Sequence, residues 1–164
     1  MKKNKRRIDV KNKNTSMLWD EEKGIATYTI KHKGAVIQGF ATCHEEDSDM
    51  KNKMTGFTLA EMRCTIKYLK YIKNNELKPQ LIAYKHFLSL LKQDKNYDEN
   101  SYSVVLLLKQ INRIEEEITI FNNEISEITK MLNDYLEQKK ILYTQLKRAK
   151  KIKHITKNFK NYEE

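Results

Sequence analysis

The feature that most constrains this chain is a seven-residue apolar repeat toward its C-terminal end. Val104, Ile111, Ile118, Ile125, Leu132, Lys139 and Leu146 step by seven, and Leu107, Ile114, Phe121, Ile128, Tyr135, Leu142 and Ala149 step by seven in the companion register. An α-helix sets such a and d positions on one narrow stripe, and a lone helix has nothing to bury that stripe against. The pattern predicts a long coiled-coil helix over 101–160 that mediates oligomerisation. No earlier segment reads as long enough to match it, so the expected partner is a second copy in an obligate homodimer or higher assembly. Isoleucine at both a and d leaves the strand number open.

The remainder reads as a small α+β body. Pro 1 and Gly 4 among 164 residues argue for long uninterrupted helices and against a turn-rich all-β fold. "GIATYTIKHKGAVIQGFATCH", starting at Gly24, carries β-branched and aromatic residues on both sides of Lys33-Gly34, which predicts an antiparallel β-hairpin turning near His32–Gly34. Two strands alone are marginal in water, so a helix or partner chain must cover a face. For the helix that follows, Thr55 and Thr58 are the two candidate N-caps, with Glu61 three residues after Thr58 completing a T-x-x-E capping box. That helix is expected to end near Asn74, Asn75 and Pro79, and a second one to run from Pro79 to Lys92. The expected organisation is a disordered basic tail over 1–16, a hairpin and helical body over 17–100, and the long helix over 101–160.

The first of these helices, "FTLAEMRCTIKYLKYIKNN", has apolar residues on two sides. Leu59, Met62, Ile66 and Leu69 share one face, Phe57, Ala60, Cys64, Tyr68 and Tyr71 nearly the opposite one, and Arg63, Lys67, Lys70 and Asn74 run between them. Two readings of Arg63 stand side by side: an ion pair with Glu61, Glu76 or a partner's acid, and a planar fork facing a small anion.

Charge and motif content narrow the function classes. The formal charge is +10, but residues 1–16 hold +6 and residues 139–160 hold +9, leaving the remainder at −5. Basic ends of this kind suit phosphate contact with strong salt dependence, although no recognised nucleic-acid module accompanies them. Cys43 and Cys64 are too isolated for a disulfide framework or a zinc site. The acidic loop His44, Glu45, Glu46, Asp47, Asp49 lacks the register of a calcium loop, and the expectation is no metal. No nucleophile elbow, phosphate-binding glycine loop or H-E-x-x-H occurs, so no catalysis and no cofactor are expected. No apolar run approaches the roughly 18 residues needed to span a bilayer, and no membrane association is expected.

The stretch "GFATCHEEDSDMKNKMTGFTLAEMRCTIKYLK", a glycine-containing strand ending in Ala-x-Cys, an acidic loop, Thr-Gly, then Ala-x-x-Arg and Ile-Lys-x-Leu-Lys, resembles the phage anti-Thoeris sponge proteins, the first described Thoeris anti-defence family. The likeness covers roughly Gly24 to Ile125, with the basic ends outside it. It implies a protein of the host bacterial cytoplasm that assembles through long helices into dimers and then hexamers. It implies no chemistry: such a protein sequesters, without degrading, the cyclic ADP-ribose isomer made by TIR-domain proteins. Some members also hold cyclic di- or trinucleotides in separate pockets. For the family's ligand pocket at the dimer interface the resemblance implies Arg63 and Arg113 as the two arginines, Phe87 as the aromatic residue and Asn96 as the amide, with Asn100 and Tyr97 as neighbours of the last. A pyrophosphate, ribose hydroxyls and an adenine call for cationic forks, a stacking ring and an amide. Arg113 falls at heptad position c, outside the a and d stripe. The rival readings are a basic coiled-coil phage protein that binds nucleic acid or builds part of a particle, and an inhibitor of a host protein.

Overall fold

The computed structural model describes residues 7–8, 14–42 and 50–160, with side chains for 14–42 and 55–151. The fold is α+β. Four antiparallel strands come first, β1 (Arg7–Ile8), β2 (Thr15–Asp20), β3 (Ile25–His32) and β4 (Ala35–Thr42), paired in the order β1-β2-β3-β4. Three helical stretches follow: α1 (Met50–Ile72), α2 (Lys78–Lys92) and α3 (Tyr102–Lys160). Contacts divide the chain into two units, Met1–Thr129 and Lys130–Glu164.

The β3–β4 hairpin forms where expected. Lys33 (φ 46°) and Gly34 (φ 81°) both take positive φ, the requirement of the two-residue turn whose twist matches the flanking strands. The sheet is larger than the hairpin. β2 pairs along all of its length with β3, Thr15 opposite Ile30 and Asp20 opposite Ile25. At the β2–β3 turn the Asp20 carboxylate accepts the N–H groups of Glu22 (3.1 Å) and Lys23 (3.2 Å), and Gly24 takes φ 61°. Arg7 and Ile8 pair with Leu18 and Met17, so the expected tail over 1–16 contributes backbone to the sheet. Backbone pairing needs an open strand edge and not an apolar sequence, which is why a basic segment can supply it.

One face of the sheet is closed by α1. Ala26 and Tyr28 of β3 and Ile37 and Ala41 of β4 alternate inward and meet Leu59, Ala60 and Cys64 of α1 in the buried core. Gly39 sets the separation: a Cβ there would overlap the Ala60 carbonyl oxygen and the Cys64 backbone nitrogen. The Cys64 thiol donates to the Ile37 carbonyl at 3.3 Å, and burial pushes its pKa up, so it stays a protonated packing group. At the other end Trp19 of β2 meets Phe57 of α1 edge-on, centroids 6.1 Å apart.

Two expectations for the helices are corrected. Helix α1 begins at Met50, so Thr55 and Thr58 both lie within it and neither is its N-cap. Nor does the helix end at Asn74–Pro79, because a π-helical turn, Lys73–Leu77, joins α1 to α2 without interruption. The apolar spacing explains that turn. Tyr68, Ile72, Leu77, Leu81 and Tyr84 step by four, five, four and three, and an ordinary α-helix would rotate Leu77 away from Ile72. One extra residue in the turn keeps them on one face. The Lys78 N–H bonds to the Lys73 carbonyl, five residues back, and the Asn75 side chain donates to the Tyr71 carbonyl at 3.0 Å. The widened turn also admits Pro79, whose ring in a regular helix would press on the carbonyl four residues earlier.

The continuous helix over 50–92 covers the start of the heptad stripe, although it is shorter than α3 and leaves the distal part of the stripe open. Val104, Leu107, Ile111 and Ile114 are buried, and Ile118 and Phe121 pack with Ile72, Leu77, Leu81 and Tyr84. The packing is antiparallel. Lys85 pairs with Glu115 (2.7 Å) while Lys73, earlier in the chain, meets Asn122 (2.9 Å), later in α3. Ser101 starts α3, its carbonyl accepting the Val105 N–H at 3.0 Å. Farther along the stripe burial declines, and Leu142 and Leu146 are 59% and 58% exposed.

Candidate functional site

The basic seam of α1 lies against the outer edge of β4, the last strand of the sheet. Arg63 Nη1 donates to the Phe40 carbonyl at 2.7 Å, and Lys67 Nζ donates to the Gln38 carbonyl at 2.9 Å. Alternate carbonyls of an edge strand point away from the sheet with no ladder partner, and cationic side chains are a common way of occupying them. Lys67 Nζ also stands 5.7 Å from the centre of the Phe40 ring, which is 46% exposed. Arg63 therefore takes neither Glu61 nor Glu76 as an ion-pair partner; its anchor is backbone. Among the described residues its one side-chain bond is to Phe40, which leaves the rest of a five-donor fork for another acceptor.

Glu76 is instead held by the hairpin tip. Its Oε1 lies 2.7 Å from His32 Nε2 and 3.2 Å from Lys33 Nζ, and the His32 ring meets Tyr68 edge-on at 5.5 Å. The His32 hydrogen bond, then Lys33, holds the Glu76 carboxyl below its ordinary value. This cluster ties the β3–β4 turn to the π-helical turn. Sequence reasoning missed it; the one available signal was charge on both sides of a tight turn, which names no partner.

The other residues assigned to a pocket lie elsewhere. Phe87 projects from α2 and is 53% exposed. Asn96 is exposed in the α2–α3 loop, where its backbone N–H meets Asp94 Oδ1 at 3.0 Å. Arg113 is exposed on α3, next to Ile114 of the interhelical core. Phe87 lies 24 positions beyond Arg63 along continuous helix, roughly 35 Å of helical rise. The chain thus brings Phe87, Asn96 and Arg113 toward the α2–α3 end of the first unit and keeps Arg63 at the sheet edge.

A shallow groove of about 570 Å³ lies on α3, lined by Asn112, Glu115, Glu116, Thr119 and Ile120. It contains none of the four residues, and its two carboxylates make it a poor seat for a pyrophosphate. The acidic loop with His44, Glu45, Glu46, Asp47 and Asp49, and Cys43 beside it, lie outside the described residues. Among the described residues no group of three or more His, Cys, Asp or Glu side chains could hold a metal ion. No described helix is long and apolar enough to cross a membrane.

No protein family, curated protein or solved structure matches this chain.

Proposed function

We propose that this protein is a phage anti-defence sponge that binds and sequesters, without degrading, the cyclic ADP-ribose isomer made by the TIR proteins of the Thoeris system in the host bacterial cytoplasm. The observation that carries the reading is the anchoring of Arg63. A guanidinium fixed by one bond to the Phe40 carbonyl, with Lys67 and an exposed ring beside it, is pre-oriented and still has donors to offer a pyrophosphate. The separation of Arg63 from Phe87 then requires a shared pocket: Arg63 of one protomer meets Phe87, Asn96 and Arg113 of another.

The α2–α3 end supports such sharing. Ile82 and Tyr102 are 68% and 81% exposed, and Leu90 and Leu106 are exposed as well, apolar surface on α2 and α3 that another chain can cover. On this reading the chain forms homodimers that assemble to a hexamer, with cyclic di- or trinucleotides as further ligands of the assembly. The rival readings, nucleic-acid binding or host-protein binding, assign recognition to other parts of the molecule, the former to the basic run over 139–160.

The test is to incubate the protein with a TIR product, remove free ligand, denature by heat and assay what is released. Intact ligand in stoichiometric amount is the expected result; altered ligand identifies an enzyme, and no depletion rejects the sponge. Arg63→Ala should abolish depletion while unfolding free energy falls by about 1 kcal/mol, the value of one exposed hydrogen bond. Truncation after Lys150 should leave depletion unchanged, whereas loss of tight binding to duplex DNA as its main effect would favour the nucleic-acid reading.

A further inference from the structure

We infer that the distal half of α3 docks against the same segment of a second copy running in the opposite direction, with Tyr135 of each chain opposite Lys139 of the other. This assignment does not depend on the identity of the ligand.

The face that needs covering is the distal heptad stripe. Ile111 and Ile114 are 5% exposed against the chain's own helix, but Ile125, Ile128, Leu132 and Tyr135 are only half-buried and Leu142 and Leu146 are open. Lys139 occupies an a position inside this stretch. Two copies in parallel would put each a residue against its own mate, and therefore one Lys139 ammonium against another in the middle of an apolar seam. Reversing one copy sets a against d. The layers then read Ile125 with Ala149, Ile128 with Leu146, Leu132 with Leu142, and Tyr135 with Lys139, each occurring twice about a dyad. The lysine stem packs on an aromatic ring and its ammonium reaches past it to water. At the dyad Leu136, an apolar residue at position e, meets its own mate.

Charge along α3 selects the same direction. Residues 139–160 carry nine Lys or Arg and no acid, whereas residues 114–135 carry six acids and one lysine. In the antiparallel register these two segments face each other across the pair. A parallel pair would oppose the two basic segments along their whole length, a like-charge juxtaposition that works against that partner choice. The apolar register and the charge segregation are independent features, and both place the dyad near residue 137.

Cysteine cross-linking in a Cys43→Ser background tests orientation, with the buried Cys64 retained. Leu132→Cys and Leu142→Cys proteins, carrying different tags, are oxidised alone and mixed. The expected result is a disulfide between the two tags in the mixture and none in either protein alone, because only facing residues come within bonding distance. Disulfides within each protein alone would show a parallel pair and overturn the assignment. Sedimentation of the unmodified chain supplies a second measurement should the cysteines loosen the seam. An even multiple of the 19.6 kDa chain mass is expected. A single chain, an odd multiple, or assembly only after DNA is added would overturn it.

Discussion

At the scale of single residues, Arg63 and Lys67 show how a side chain's meaning changes once a strand lies beside it. Helical periodicity puts both in a seam between apolar faces, which suggests an ion pair or an anion site, and acids at Glu61 and Glu76 are near in sequence. The third possibility, edge carbonyls of a strand more than twenty residues away, has no local signature. Gly39 is similar: as a strand residue it reads as a weak point, yet it lets α1 lie directly on β4. Gly39→Ala should lower unfolding free energy by about 3 kcal/mol or more, measured by urea denaturation, because the obstacle is backbone and cannot turn aside. Glu76 carries a pH signature. A carboxyl held below its unfolded value stabilises the fold above that unfolded value and loses the contribution as pH falls through the folded one. Glu76→Gln should therefore melt below the wild type at about pH 5.5, and the difference should close as pH falls below the ordinary carboxylate range and the wild-type carboxyl protonates. A difference that persists at low pH would assign Glu76 a packing role instead.

At the scale of elements, the junction of α1 and α2 is the instructive case. Asn74, Asn75 and Pro79 are legitimate stop signals, and local propensity predicts a break. The structure keeps the helix because Ile72 and Leu77 both have a place in the core with Ile114, and burying both is worth more than regular hydrogen bonding over one turn. The five-residue spacing between them was visible in the sequence, but it reads as a phase error until the packing partner is known. Deleting Asn74 should restore an ordinary α-turn with Leu77 four residues after Ile72. Pro79 would then sit in a regular helix interior, and stability should drop by about 3 kcal/mol. Adding Pro79→Ala to the deletion should recover most of that loss, a coupling that two independent defects would not give. Circular dichroism with thermal unfolding of the single and double variants reads the outcome.

At the scale of the whole molecule, a ligand that binds only the folded chain must raise its melting temperature. The proposed signal nucleotide should add about 2.7 kcal/mol at a hundredfold excess over Kd, and Arg63→Ala should remove the increment in a thermal-shift titration. What the sequence alone determined were features whose cause is local or periodic. The positive-φ pair at Lys33-Gly34 set the hairpin, the heptads set the long helix, and the scarcity of proline and glycine set its continuity. The tertiary structure decided everything that depends on which surfaces meet. It made a basic segment part of a sheet, fused two expected helices into one rod, and turned Arg63 to an edge carbonyl. It also divided the heptad stripe into a part covered within the chain and a distal part still open at Leu142 and Leu146. Periodicity reports that a face is apolar, because that is a property of one helix; what buries it is a property of two, and is fixed only when the chain has folded.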